Sequence, residues 1–176
     1  RGFADTAAPI VLAIIRAPAA GRLPPDASNM GNLCPSPKDK SPQVARTRPI
    51  TLNNVVNRQV AALVSAAIMP AVNAIAHPNQ KGFIKGRHGE DNVLDFTNLF
   101  YSDLIAQRQR YVLLIDTAKA FDSLDHPYLF AVLTHIGMPK WVINVITGLM
   151  HKVRVRPILS HFTRTTIPIL RGVKQD

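Results

Sequence analysis

A short apolar run that ends in an isolated carboxylate is the clearest chemical signal in the sequence. Tyr111–Ile115 is a continuous β-favouring run without polar alternation, and Asp116 follows it directly. Such a run is typical of a strand buried on both faces. The end of a buried strand is a rigid platform where α/β proteins place catalytic and metal-binding groups. The pattern therefore predicts either a functional carboxylate at a strand end or a helix-capping aspartate.

Oxygen ligands of this kind favour a hard divalent cation such as Mg²⁺, and the main-chain carbonyl of Thr117 could complete a coordination shell. Nucleotidyl or phosphoryl transfer by two metal ions needs several carboxylates. Asp122 fits better as an acceptor for local amides near the next helix start. An aspartate that becomes phosphorylated is a poor fit, because Ala118 stands where those families carry a second aspartate.

Other catalytic chemistries lack their signatures. The sequence has no GxGxxG after a strand, no GxxxxGK[ST], no HExxH and no GxSxG. Its six histidines show no metal-ligand spacing, and Cys34 is the only cysteine. A lone cysteine indicates a reducing compartment, so we expect an intracellular protein of the cytoplasm or nucleus that is not secreted.

The net charge points to a polyanionic partner. The 176 residues include 21 Lys and Arg against 11 Asp and Glu, which gives a formal charge of +10. Nucleic acid is the first candidate, while an anionic membrane or solubility alone would suit the same charge. The apolar run Pro9–Ile15 is shorter than the roughly 20 residues of a membrane span, so no membrane partner is expected. The abrupt end at Asp176 and the start at Arg1 indicate a fragment of a longer protein.

The elements around Asp116 are predicted from hydrophobic periodicity and from the positions of glycine, proline and helix-capping residues. A basic hairpin is expected around DKSPQ, where its tip could reach a phosphate or simply be solvated. The loop QKGFIKGR has spaced glycines and cations that suit close approach to a nucleic-acid backbone. Asp125 is expected to cap a helix that Gly137 closes. The predicted helices are 7–20, 53–76 with a kink or break at Pro70, 91–107 with an apolar core stripe, and 139–150.

A final hairpin is predicted over residues 153–170, where Val153 and Val155 alternate with Arg154 and Arg156. The arginines would share one face. That face suits phosphate contacts, and an ordinary solvated strand face is the alternative.

Several blocks, in this order, resemble the reverse transcriptases of non-LTR (LINE-type) retrotransposons. The 23–41 stretch resembles the fingers hairpin, RPITLNN the RPIsL block, and NQKGFIKGR the Q-x-GF-x-x-GR block. LLIDTAKAFDSLDH resembles the palm motif D-x-x-x-AFD, and RGVKQ resembles the start of RGVRQG. The resemblance implies a mixed α/β, or α+β, fold that is a partial right-hand polymerase. Residues 1–22 would be a helical lead-in, 23–110 fingers-like and 111–176 a partial palm that stops before the paired-aspartate motif.

The resemblance also implies roles. Asp116 would be the first catalytic, metal-binding carboxylate of a two-Mg²⁺ site, with Thr117 beside it. Phe121 would exclude the 2′-hydroxyl of a ribonucleotide. The other implied contacts are Lys38, Arg48 and Gln175 for the dNTP, and Gly82, Phe83, Gly86, Arg87, Arg154 and Arg156 for the RNA template and DNA primer.

The implied activity is RNA-directed DNA polymerisation, a transferase reaction. The chain departs from the family because Asp176 stands where glycine follows Gln175, and because the paired aspartates are missing. Asn57 and Arg58 also replace an aromatic-lysine pair. We therefore expect an isolated chain without catalysis. The alternative is a non-catalytic, basic nucleic-acid-binding remnant of a retroelement.

Overall fold

The computed structural model describes residues 2–37, 47–158 and 165–173. Within them the chain forms five α-helices, four β-strands and a short 3-10 helix, Asp26–Asn29. The helices are α1 Gly2–Ala19, α2 Val55–Ile75, α3 Gly89–Ile105, α4 His126–His135 and α5 Lys140–Met150. The strands are β1 Met30–Pro37, β2 Thr47–Leu52, β3 Arg154–Pro157 and β4 Ile167–Pro168. A mixed α/β class is confirmed.

The described chain divides into two compact units, residues 1–63 with 118–176, and residues 64–117. The boundary falls inside α2 and after Thr117. These units do not follow the predicted boundaries at residues 22 and 110. The three-part division into lead-in, fingers and palm rests on resemblance to polymerase subdomains, and it stays a prediction.

The first unit is built on a four-stranded mixed sheet in the order β2-β1-β3-β4. β1 pairs antiparallel with β2, with Ser36 opposite Arg48, which confirms the predicted hairpin. β1 also pairs in parallel with β3, and β3 pairs antiparallel with β4. The predicted 153–170 hairpin is thus confirmed, with Val153 and Val155 buried and both arginines exposed.

The core of this unit lies where α1, α4 and α5 pack together. Val142 and Val145 of α5 are completely buried. Gly148 permits the close approach of α1, because a Cβ there would lie 3.0 Å from the Cβ of Pro18.

A buried amide network ties α2 to the end of α5. Asn29, which is 1% exposed, donates to the carbonyls of Gly148 at 2.8 Å and His151 at 2.6 Å. Asn57 in turn donates 2.9 Å hydrogen bonds to the Asn29 Oδ1 and the Ser28 carbonyl. Asn57, a departure from the family pattern, therefore has a structural partner that an aromatic side chain would not supply.

The second unit consists of the second part of α2, the loop 76–88, α3 and the segment up to Thr117. The helix predicted over 53–76 is confirmed, and it is not interrupted at Pro70. α2 is the one helix among the described residues that is long and apolar enough to cross a membrane, which alone is weak support for a span. The expectation of no membrane partner stays a prediction.

Two predictions for the second unit are wrong. Tyr111–Ile115 forms no strand, and Tyr111, Leu113, Leu114 and Ile115 are 93%, 81%, 91% and 82% exposed. A strand requires a neighbour for its main-chain groups, and none of the described strands pairs with this segment. The apolar stripe of α3 that was predicted to be core is exposed as well. Its members are Val93, Phe96, Leu99, Phe100 and Leu104.

Candidate functional site

A cleft of about 270 Å³ in the first unit brings together the neighbours of three predicted nucleotide-binding residues. Pro49 follows Arg48, Asp122 follows Phe121, and Val173 precedes Gln175 by two positions. The remaining lining comes from the sheet and the segment before Val173, and it consists of Leu33, Thr51, Val155, Ile169 and Arg171. The sheet thus forms one wall, and two loops from distant parts of the sequence complete it.

Arg48 lies near this cleft because it is the second residue of β2, the strand that lines the cleft through Pro49 and Thr51. It lies exposed on β2, one residue before the cleft-lining Pro49. Pro49 has no main-chain donor, and β2 is an edge strand where such a residue is tolerated. Lys38 and the rest of the hairpin tip lie outside the described residues, as does Gln175.

Phe121 lies in a tight turn directly before α4. Lys119 takes a positive φ of 52°, and its carbonyl accepts hydrogen bonds from the amides of Asp122 and Ser123, both at 3.0 Å. The Phe121 ring is 48% exposed. Asp125 caps α4 as predicted, because its Oδ1 accepts from the Tyr128 amide at 3.0 Å.

The RGV segment that ends the described chain lies against this turn. The Val173 amide donates to the Phe121 carbonyl at 3.0 Å, and the Gly172 amide donates to the Leu124 carbonyl at 2.7 Å. The His126 Nε2 lies 2.8 Å from the Gly172 carbonyl. Two sequence blocks about 50 residues apart are therefore hydrogen-bonded to each other.

Asp116 and Thr117 lie in the second unit, in an exposed segment without regular structure. Mg²⁺ takes six oxygen ligands in near-ideal octahedral geometry. No group of three or more His, Cys, Asp or Glu that could hold a metal occurs within the described ranges. The described residues therefore do not fit a Mg²⁺ site by themselves, and the assignment of Asp116 and Thr117 as ligands stays a prediction.

The predicted template-side loop is ordered by its own arginine. The guanidinium of Arg87 donates to the carbonyls of His77 at 2.6 Å and Gln80 at 3.0 Å through Nη1. Through Nη2 it donates to Asn73 at 3.0 Å and Ala76 at 3.3 Å, at the end of α2. Arg87 thus acts as a cap for a helix C-terminus, where the macrodipole favours a cation.

Three other residues of this loop, Gly82, Phe83 and Gly86, are presented to solvent. Phe83 has a φ of 60° and is 86% exposed, while Gly86 has a φ of 80° that a residue with a side chain rarely adopts. Gly82 directly precedes Phe83, and it is also exposed. An exposed aromatic ring beside glycines can stack on a base, and the predicted nucleic-acid contact stays a prediction.

Arg154 and Arg156 extend from the exposed face of β3. The Arg154 Nε donates to the Thr166 hydroxyl at 3.0 Å, which fixes one end of its side chain. Both arginines belong to the first unit, whereas the glycine loop belongs to the second.

Two residues that contact or adjoin the Phe121 turn are not indicated by the sequence, His126 and Gly172. His126 is one of six scattered histidines in the sequence, and Gly172 is part of the RGVKQ block. A histidine directly after a helix-capping aspartate was the available signal for the first. No local pattern reveals the second, because its neighbours come from the distant Phe121 turn.

Comparison with known proteins gives the following matches. A family model described as "Reverse transcriptase (RNA-dependent DNA polymerase)" matches residues 37–175. The "Retrovirus-related Pol polyprotein from type-1 retrotransposable element R2" of Popillia japonica is 33% identical over 135 residues, which is 73% of this chain and 18% of that protein. The "Retrovirus-related Pol polyprotein from type-2 retrotransposable element R2DM" of Drosophila melanogaster is 28% identical over 99 residues, 56% of this chain and 9% of that protein. The chain spans less than a fifth of the length of these curated relatives.

Proposed function

Because this chain belongs to the reverse transcriptase (RNA-dependent DNA polymerase) family, we propose that it forms the part of an RNA-directed DNA polymerase that receives the incoming dNTP. The resemblance to non-LTR retrotransposon enzymes is confirmed by the R2 relatives. The RNA template and the DNA primer are the proposed macromolecular partners.

The single observation that supports this proposal most is the cleft of about 270 Å³ between the sheet and the Phe121 turn. It joins three blocks that the sequence separates by tens of residues, RPITLNN, AFDSLDH and RGVKQ. Each block contributes a residue within two positions of one proposed for the nucleotide. Chance packing would not favour these three blocks over the rest of the chain.

The proposed contacts are those that the family resemblance implies, and the chemistry of each side chain suits its role. The guanidinium of Arg48, with Lys38, would bind the triphosphate through charge-assisted hydrogen bonds. Phe121 would exclude a 2′-hydroxyl by steric bulk. Gln175 would contact the base or template with its amide.

Catalysis needs more carboxylates than the described residues bring together. A pair of Mg²⁺ ions, when bound, would activate the primer hydroxyl and stabilise the leaving pyrophosphate. We propose that Asp116 and Thr117 contribute to that site once further acidic residues complete it. Loss of members of a catalytic set costs orders of magnitude in rate.

Nucleotide binding is the first test. Arg48→Met should weaken the binding of a fluorescent dATP by about tenfold, equivalent to about 1.4 kcal/mol, because one charge-assisted contact to phosphate is lost. Arg16→Met, at the end of α1, is the matched control and should leave the Kd unchanged. Equal affinities for the wild type and Arg48→Met would contradict the proposed triphosphate contact.

Primer extension is the second test. We expect no Mg²⁺-dependent dNTP incorporation by this chain on a primed RNA template. Robust incorporation that disappears in Asp116→Ala would show that the chain assembles a complete metal site after all.

A second candidate function is nucleic-acid binding without catalysis. It is favoured by the formal charge of +10. Binding of this kind depends on phosphate neutralisation and should be strongly salt-dependent. Binding of primed template with no specific affinity for dNTP would favour this function over the first.

A further inference from the structure

We propose that residues 171–173 form a clasp that fixes the Phe121 turn, and that His126 and Gly172 are positioning residues for the Phe121 ring. The clasp follows from the contacts alone. Its effect on sugar selection rests on the proposed function, in which Phe121 excludes a 2′-hydroxyl.

Three hydrogen bonds join the clasp to the turn. Val173 and Gly172 donate their amides to the carbonyls of Phe121 at 3.0 Å and Leu124 at 2.7 Å. The Gly172 carbonyl lies 2.8 Å from the His126 Nε2. A carbonyl can only accept, so Nε2 is the donor in this hydrogen bond. Because Val173 binds the carbonyl of Phe121 itself, the clasp acts on the residue proposed to select the sugar.

Gly172 is buried, and no other residue fits its place without moving the turn. Its φ of 78° lies in the left-handed region. A Cβ there would lie 2.6 Å from the carbonyl oxygens of both Phe121 and Asp122. Real Cβ atoms do not approach an oxygen this closely, so a side chain would push the turn away from the clasp.

His126 holds the clasp from a rigid base. It is the first residue of α4, whose start Asp125 fixes by accepting from the Tyr128 amide at 3.0 Å. The imidazole is half-buried, so its hydrogen bond is partly shielded from water. The ion pair between Arg171 and Asp125, at 3.9 Å, is exposed and adds little.

The arrangement has a consequence for specificity because the clasp also lines the cleft through Arg171 and Val173. Clasp and turn therefore share one wall. Steric exclusion falls steeply with distance, so a sub-ångström release of the turn would admit a 2′-hydroxyl and leave other nucleotide contacts in place.

The test combines amide hydrogen exchange with nucleotide affinity in the full chain. His126→Ala and Gly172→Ala should each speed exchange of the Val173 amide by about tenfold or more, because local opening becomes easier. Both should lower the preference for dATP over ATP by about tenfold, through tighter ATP binding. His126→Gln keeps a donor near the position of Nε2 and should retain most of both properties.

Gly137→Ala is the matched control. Gly137 has a φ of 74°, but no atom lies within 4 Å of a Cβ built there. The Gly137→Ala variant carries the same backbone strain as Gly172→Ala without the clash. Its Val173 amide exchange rate and its preference for dATP over ATP should therefore stay at their wild-type values.

Unchanged exchange in both His126→Ala and Gly172→Ala would overturn the clasp. Faster exchange with an unchanged dATP-to-ATP ratio would overturn the positioning role. A wild-type chain that binds dATP and ATP alike would instead contradict the proposed role of Phe121 and with it the sugar effect, while the exchange rates would still decide for or against the clasp.

Discussion

Single side chains join segments of this chain that secondary structure leaves separate. Asn29 links the 3-10 helix to α5, and Arg87 closes the end of α2 with four hydrogen bonds to main-chain carbonyls. The guanidinium suits this task because its planar fork reaches several acceptors at once. The loop proposed to meet the template is therefore shaped by an arginine that faces its own protein.

Replacing Arg87 should destabilise this loop locally. We expect Arg87→Met to reduce the free energy of unfolding by about 1 kcal/mol, because a helix-capping cation is lost from a partly exposed site. It should also speed amide exchange in the last turn of α2. Thermal unfolding and exchange mass spectrometry would measure both.

Lys85→Met provides the control, since Lys85 is exposed on the same loop two residues away. It removes the same charge and should change neither property. If both variants behaved alike, the effect of Arg87 would be one of charge and not of helix capping.

At the scale of elements, the segment after α3 is unusual. Arg110 and Asp103 form a bidentate ion pair with contacts of 2.5 and 3.0 Å, which fixes the start of the segment at α3. Beyond it the apolar run has no strand beside it within the described chain. An exposed run of this composition is a site for edge-to-edge association.

A charged residue introduced into the run tests whether this segment is exposed or is a buried strand. Leu114→Lys should change the free energy of unfolding by less than about 0.5 kcal/mol, because Leu114 is 91% exposed. It should also reduce self-association, because a lysine gatekeeper disfavours strand pairing. Chemical denaturation and light scattering would measure these effects.

Val142→Ala is the reference for true burial, since Val142 is fully buried in α5. This substitution should lower the free energy of unfolding by about 2 kcal/mol. A comparable or larger loss in Leu114→Lys would mean that the segment is packed in solution.

At the scale of the whole molecule, the excess of basic residues is the feature that should govern the proposed association with nucleic acid. The charge is spread over both units, from Lys85 in one to Arg154 and Arg156 in the other. Binding should therefore draw on many weak phosphate contacts, each releasing counterions.

Affinity for a primed RNA template should fall about 500-fold between 50 and 200 mM salt if about five phosphates are neutralised. Arg156→Gln should lower the slope of log K against log salt by about one unit. Arg16→Gln serves as the control and should alter the slope less. A flat salt titration would contradict electrostatic binding by this chain.

The sequence alone determined much of the local structure and the family. Helix periodicity, the Asp125 cap and the two hairpins were predictable, because each depends on residues close together in the chain. The order of the motif blocks was enough to identify the reverse transcriptase resemblance. Composition likewise fixed the basic charge.

Only the tertiary structure decided what covers each apolar face and which distant loops meet. A strand-like run such as Tyr111–Ile115 becomes a strand only if a partner binds its main chain, and local sequence does not encode that partner. The meeting of Gly172 with the Phe121 turn likewise depends on the path of the chain between them. The family resemblance could therefore name Phe121, but only packing shows the contacts of His126 and Gly172 from which their positioning role is inferred.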